Sequence, residues 1–359
     1  MKKEYAVEDL RIGMKIAEPV LDENGTVVVE AGTVLDDESI FSILEQPVFG
    51  VMIDVDVPKH APVKDEHILD DSYLADYKHV YDELGKVFEK AHNKEFDVER
   101  IRRFFDEPHL IRLSKGVRAV TQLYNMERSG DYVLHHSVHV AVLAGLMGRW
   151  LDFSPERRRR LMIAGLLLDI GKVWIPSPII QKPGRLTHAE FNIMKRHSQM
   201  GYEFLKQGPL SDEDEILNGI LQHHERGDGT GYPLGLIADR TAEFAKILAI
   251  LDIYDAMSAD RVYARRRSPF DVFQVISDDI LSGRLDTFLG VKFIRNLCHA
   301  LNGNWVKLNN GEEAKIVYID ESRISSLPVV ETEGGDFIDL NTDRSKSIDI
   351  MLTYKEQGS

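Results

Sequence analysis

A chain of 359 residues with 43% hydrophobic residues has room for two or three domains and a substantial buried core. Its net charge of -15 argues against general affinity for nucleic acid or an anionic membrane, because phosphate-bearing surfaces demand clustered cations. The single cysteine, Cys298, excludes an internal disulfide framework and suits a reducing cytosol.

The start, Met1 to Asp9, lacks the apolar core of a signal peptide, and no uninterrupted apolar run approaches the roughly 20 residues that span a bilayer. The expected location is the cytoplasm. Residues 1–56 read as a small α+β module of regulatory or structural role. Asp22-Glu-Asn-Gly25 signals a hairpin, Thr26 to Val29 is a β-branched run, Asp36 to Ser39 caps a short helix ending near Leu44, and Val51 to Ile53 returns as a strand. Residues 57–71, with Pro58, Pro62 and mixed charges, read as a linker.

Tyr73, Tyr77, Val80, Tyr81, Leu84, Val87 and Phe88 then recur at helical spacing, an apolar stripe expected to pack, with a homodimer through helix 72–92 as one way to cover it. Phe96 to Tyr124 continues helical with a break at Pro108. From Tyr132 onward the helices are strongly apolar. Ser154-Pro155 opens one that runs through Leu161 to Leu168 into Asp169, and Thr187-His-Ala-Glu190 is a capping box for another. Ser211-Asp212 starts a third, and Thr241 to Ala259 forms a fourth in which Asp252 and Asp255 share a face. Beyond Ser268 the helical pattern resumes twice. From Trp305 short strands surround an Asn310-Gly311 turn, so residues 303–359 read as a β appendage. Of the two arginine runs, Arg157 to Arg160 reads as a solvated helix face and Arg265 to Arg267 as the better phosphate contact.

The apolar helices carry donors that are costly to bury alone. His135-His136, Asp169, His197, His223-His224 and Asp252 lie in or at the ends of apolar segments, where an imidazole or carboxylate must be hydrogen-bonded or bound to metal. One helical turn offers an ion only two side chains, so donors on separate helices point to one shared centre. The stretch Leu221-Gln-His-His-Glu-Arg-Gly-Asp-Gly-Thr-Gly-Tyr-Pro233 ends one helix with two adjacent histidines and continues into a glycine-rich loop.

The order His136, Asp169-Ile-Gly-Lys172, His197, His223-His224, Gly231-Tyr232-Pro233, Asp252 and Asp260-Arg261 resembles the HD-GYP family, the cyclic di-GMP phosphodiesterase branch of the HD metallohydrolases. The resemblance is strongest over residues 132–263 and implies a mainly α fold: an all-helical HD-type domain, 72–302, between the α+β module and the β appendage. It selects His136 over His135 and His139 as the first ligand. It further implies that Asp169, His197, His223 and His224 hold one divalent ion. His136, Asp169, Asp252 and the family's dyad histidine would hold another. Lys172 would neutralise the scissile phosphate beside Asp169, while Asp228, Gly231, Tyr232, Pro233 and Arg261 would bind substrate.

One position departs from the pattern: the dyad reads Leu168-Asp169, and leucine cannot ligate a metal. Tyr132 likewise stands where some relatives place a glutamate for a third metal. The implied cofactor is therefore one or two divalent ions, iron or manganese by the mixed imidazole and carboxylate set, with zinc, magnesium and nickel as alternatives. Two readings follow. One is a working phosphodiesterase converting cyclic di-GMP to pGpG or GMP in bacterial second-messenger signalling, with turnover impaired by Leu168. The other is a degenerate domain that binds the nucleotide or signalling proteins.

Overall fold

A computed structural model describes residues 2–7, 10, 14–22, 25–44, 50–54, 71–115, 118–126, 130–258, 267–320, 323–324 and 326–352. The linker expected at 57–71 falls outside these residues apart from its last, as do Asp260, Arg261 and the first two arginines of the 265–267 run. The chain divides into a unit spanning 1–66 and a second spanning 67–359.

In the first unit β1 (Lys2–Ala6), β2 (Lys15–Ile16), β3 (Val20–Leu21), β4 (Val27–Val29), α1 (Asp37–Leu44) and β5 (Gly50–Asp54) follow in order. Strands β1, β5 and β2 form an antiparallel sheet in that order, and β3 pairs with β4 through the expected hairpin. Asp36 caps α1: its Oδ1 accepts from the Ser39 amide, and Ser39 Oγ accepts from the Asp36 amide. Val7, Leu10, Ile16, Val20, Val29, Leu35, Ile43, Val51 and Ile53 make a small core of its own.

The second unit is mainly helical. It contains α2 (Asp71–His92), α3 (Val98–Arg103), α4 (Pro108–Leu113), α5 (Arg118–Asn125), α6 (Tyr132–Trp150), α7 (Pro155–Leu167), α8 (Ser177–Ile180), α9 (His188–Met194), α10 (Arg196–Lys206), α11 (Asp214–Gln222), α12 (Glu243–Ser258), α13 (Pro269–Leu281) and α14 (Thr287–Leu301). Pro108 starts α4 at its first turn rather than merely breaking a helix, since its missing N–H falls where no intrahelical bond is needed. After α14, β6 (Trp305–Leu308), β7 (Glu313–Tyr318), β8 (Val329–Thr332), β9 (Phe337–Asp339) and β10 (Ile348–Leu352) form an antiparallel sheet ordered β10-β6-β7-β8-β9.

Helix α6 is the axis of this unit. Every residue from Val133 to Gly148 is buried, as expected of a helix that is apolar on all sides. Glycines let its neighbours close on it. A Cβ on Gly145 would stand 2.5 Å from Ser114 Cβ, and one on Gly165 of α7 would stand 3.1 Å from the Ala141 backbone. The apolar stripe of α2 (Tyr77, Val80, Leu84, Val87 and Phe88) is buried against α4 and α6 of the same chain. The packing expected of the stripe is thus met within the chain, with Tyr73 and Tyr81 partly buried at its edge. Among the described residues no helix is long and apolar enough to cross a membrane.

Candidate metal centre

Three helix ends deliver the first set of donors. Helix α7, capped at Ser154 by a bond from the Arg157 amide, ends at Leu168 and hands the chain to Asp169, which opens a tight 3-10 turn over Ile170–Trp174. Gly171 in that turn is required by close approach: a Cβ there would lie 1.9 Å from the His197 carbonyl oxygen. The capping box at Thr187–Glu190 starts α9, which leads into α10 and His197. Helix α11 begins two to three residues later than Ser211-Asp212 suggests, and ends with His223 as its C-cap.

His197, His223 and His224 converge so that one ring nitrogen from each lies within 4.8 Å of the others. The His197 Nδ1 lies 2.7 Å from the Met194 carbonyl oxygen, and the His223 Nδ1 lies 2.7 Å from that of Ile220. A carbonyl only accepts, so both Nδ1 atoms carry protons and both Nε2 atoms present lone pairs. Those two Nε2 atoms stand 3.4 Å apart, and the Asp169 carboxylate reaches to 3.4 Å from that of His197.

The electrostatics match that geometry. Burial pushes the His197 imidazole down to about 4 and lowers His223 and His224 as well, so all three are neutral at pH 7. Burial alone would raise Asp169, but the Lys172 ammonium, 2.5 Å away, and the neighbouring imidazoles hold it well below the usual carboxylate range. Neutral imidazoles beside an ionised carboxylate are the protonation states a divalent transition ion requires. Two lone pairs facing each other at 3.4 Å match the donor separation of about 3.4 Å that tetrahedral bonds of about 2.1 Å imply. The residues present therefore fit the ion.

A second set of groups adjoins the first. His136 Nε2 lies 3.0 Å from Asp252 and 3.6 Å from Asp169, while its Nδ1 lies 2.7 Å from Asp255. Burial opposes its charge, yet the Asp252 and Asp255 carboxylates hold the imidazole well above its usual range. Asp255 also receives His139 at 3.0 Å, which gives that histidine a structural bond. His135 is likewise spent, with Nδ1 2.7 Å from the Tyr77 hydroxyl. Leu168 is fully buried in the apolar core and leaves His136, Asp169 and Asp252 as the donors at this position.

Beside the imidazoles lies the glycine-rich loop. The Tyr232 ring stacks on His224 at 4.6 Å and meets Phe191 edge-on. Gly231 lets the loop fold back, since a Cβ there would lie 2.3 Å from the Arg226 amide nitrogen. Pro233 follows Tyr232 directly, and Arg261 lies outside the described residues. Asp228 is exposed and its Oδ1 accepts from both the amide and hydroxyl of Thr230, which shapes the turn.

Sequence reasoning passed over Glu225. It is buried, and its two oxygens accept from the Leu234 and Leu236 amides at 2.7 and 2.8 Å, pinning the far side of the loop. Its position directly after two candidate ligands was the available signal. Asp255, three residues beyond Asp252, was noticed for its face but not for its grip on His136 and His139.

Comparison with known proteins places the chain among HD-type proteins. The HD domain family matches residues 115–289. The chain is 39% identical over 147 residues, 41% of its length, to a cyclic di-GMP phosphodiesterase of Pseudomonas aeruginosa, and covers 35% of that protein. It is 34% identical over 174 residues, 48% of its length, to a 3'3'-cGAMP-specific phosphodiesterase of Vibrio cholerae, covering 37% of it. A cyclic di-GMP phosphodiesterase of Thermotoga maritima is 28% identical over 282 residues, 76% of this chain and 72% of that protein. The chain thus spans about a third of the first two relatives. Among solved structures, an HD-GYP-type protein of Bdellovibrio bacteriovorus shares the fold with a TM-score of 0.51 at 16% identity, over 82% of this chain and 98% of that one.

Proposed function

This chain belongs to the HD-GYP branch of the HD domain family, and from that premise we propose that it is a divalent-metal-dependent phosphodiesterase hydrolysing cyclic di-GMP to pGpG or GMP. The observation that carries the reading is the facing pair of His197 and His223 lone pairs, with His224 and the ionised Asp169 beside them.

Asp169, His197, His223 and His224 would hold one ion, and His136, Asp169 and Asp252 a second, more weakly for want of a donor at Leu168. When bound, such ions acidify a water and stabilise the charge on the phosphoryl oxygens. The rest falls to side chains on the page. Lys172, partly buried beside Asp169 and held cationic by it against the opposing effect of desolvation, places an ammonium where the scissile phosphate would gain charge. Tyr232, stacked on His224 at the rim, presents a flat face for a guanine base. Glu225 keeps that face in place through two backbone amides. Iron or manganese suits three imidazoles with a carboxylate; zinc is the alternative.

Leu168 favours one further reading, a receptor that binds the nucleotide without turnover. A complete donor set at the other position argues against it. The deciding experiment pairs metal content of anaerobically purified protein with chromatographic assay of cyclic di-GMP and 3'3'-cGAMP under added Mn²⁺ or Fe²⁺. At least one ion per chain with a linear product from cyclic di-GMP is the expected result. Tight nucleotide binding with no product over hours would leave the receptor reading in its place.

A further inference from the structure

Away from this centre, a second group of donors gathers where α2 meets the start of α4. His79 Nε2 of α2 lies 3.7 Å from Glu107 Oε2, and His109 Nε2 lies 3.9 Å from Glu107 Oε1. The two imidazole rings stack with centroids 4.1 Å apart. One ligand atom from each of the three residues lies within 4.8 Å of the others.

Behind His109 stands a buried carboxylate. Asp76 Oδ1 lies 2.5 Å from His109 Nδ1, and Arg112, bonded to both Asp76 oxygens, keeps that carboxyl below its usual range. Arg112 also approaches His109 Nδ1, at 2.7 Å. The Asp76 oxygen only accepts and the Arg112 guanidinium only donates, so the two hold His109 Nδ1 between them; with the proton on Nδ1 and donated to Asp76, the Nε2 lone pair is free for an ion shared with Glu107 and His79. A carboxylate behind a histidine that points its other nitrogen at an ion is the usual support of a metal-ligating imidazole.

We infer that His79, Glu107 and His109 form a second metal site, separate from the first, that takes a zinc-class divalent ion. Two imidazoles and a carboxylate with an open fourth position make a zinc donor set. Observed separations of 3.7 Å to Glu107 Oε2 and 3.9 Å to its Oε1 exceed the roughly 3.4 Å of a tetrahedral pair by a few tenths, within reach of small rotations of the two partly exposed imidazoles. The charges agree: Asp76 offsets Arg112, and Glu107 offsets half of the ion. Filled, the site would clasp α2 to α4.

The test is zinc stoichiometry by elemental analysis after equilibrium dialysis of the untagged full chain, for wild type, His79→Ala and Glu107→Gln. Glutamine keeps the oxygen that accepts from the His109 amide at the helix start, so that variant retains the cap. Wild type should retain one more zinc per chain than either variant, and added zinc should raise its melting temperature more. His79→Ala should leave nucleotide hydrolysis unchanged. Equal zinc content in all three proteins would overturn the site, as would an extra zinc that survives in Glu107→Gln.

Discussion

His197 and His223 face each other with Nε2 atoms 3.4 Å apart, and each anchors its Nδ1 on the carbonyl three residues earlier in the chain. The anchors cost nothing in ligand capacity and fix which nitrogen is free. Replacing His197 by alanine should lower metal affinity by at least about 100-fold, the upper range for losing even a supporting partner. Hydrolysis should fall with metal content. Unchanged metal content would refute the ligand assignment.

Leu168→His tests the departure from the family pattern. The side chain is fully buried directly before Asp169, so an imidazole there must find a partner or cost stability. With an ion present, the expected outcome is a gain of up to one metal per chain and several-fold higher kcat under excess Mn²⁺. If neither metal content nor kcat rises while the variant stays folded, the second ion position, that of His136, Asp169 and Asp252, does not limit turnover.

Glu225→Gln removes one acceptor from the loop. An amide has a single oxygen for two backbone N–H donors, leaving one of Leu234 and Leu236 facing an NH₂ group. A buried donor without a partner costs about 1–3 kcal/mol. Since the loop carries Tyr232, KM for cyclic di-GMP should rise about tenfold, or roughly 1.4 kcal/mol, with metal content held. A loss of metal with unchanged KM would mean that Glu225 serves the ion instead.

The donors were legible because their signals are local. An apolar helix ending in His223-His224, a Thr187–Glu190 capping box and a Ser154-Pro155 start each need only a few neighbouring residues to read. Partnerships made at long range were not. The amides that Glu225 binds lie nine and eleven residues away across a loop without periodic pattern. Strand β1 reads as a polar start, Lys2-Lys3-Glu4, and is a strand only because β5 pairs with it. The α2 stripe shows its apolar spacing in the sequence, but what covers it, α4 and α6, is a matter of tertiary packing.

Acid should reveal the same imidazoles. In the unfolded chain His197 takes up its proton near 6.5, whereas in the fold burial delays protonation to about 4. Between those values the unfolded state binds more protons, so the metal-free protein loses stability as pH falls from 6.5 to 4, by at most about 3 kcal/mol from this group. Above 6.5 the contribution is flat. Because the folded imidazoles stay neutral through that window, protons compete poorly for them, and metal retention should hold from pH 8 to about 6 and halve only nearer 4 to 5. Two measurements check this: urea unfolding of the metal-free protein across pH 4–8, and metal retained after dialysis at each pH. Half-release near pH 6.5 would mean ordinary, solvent-exposed imidazoles and would sink the picture of a buried, preset donor set.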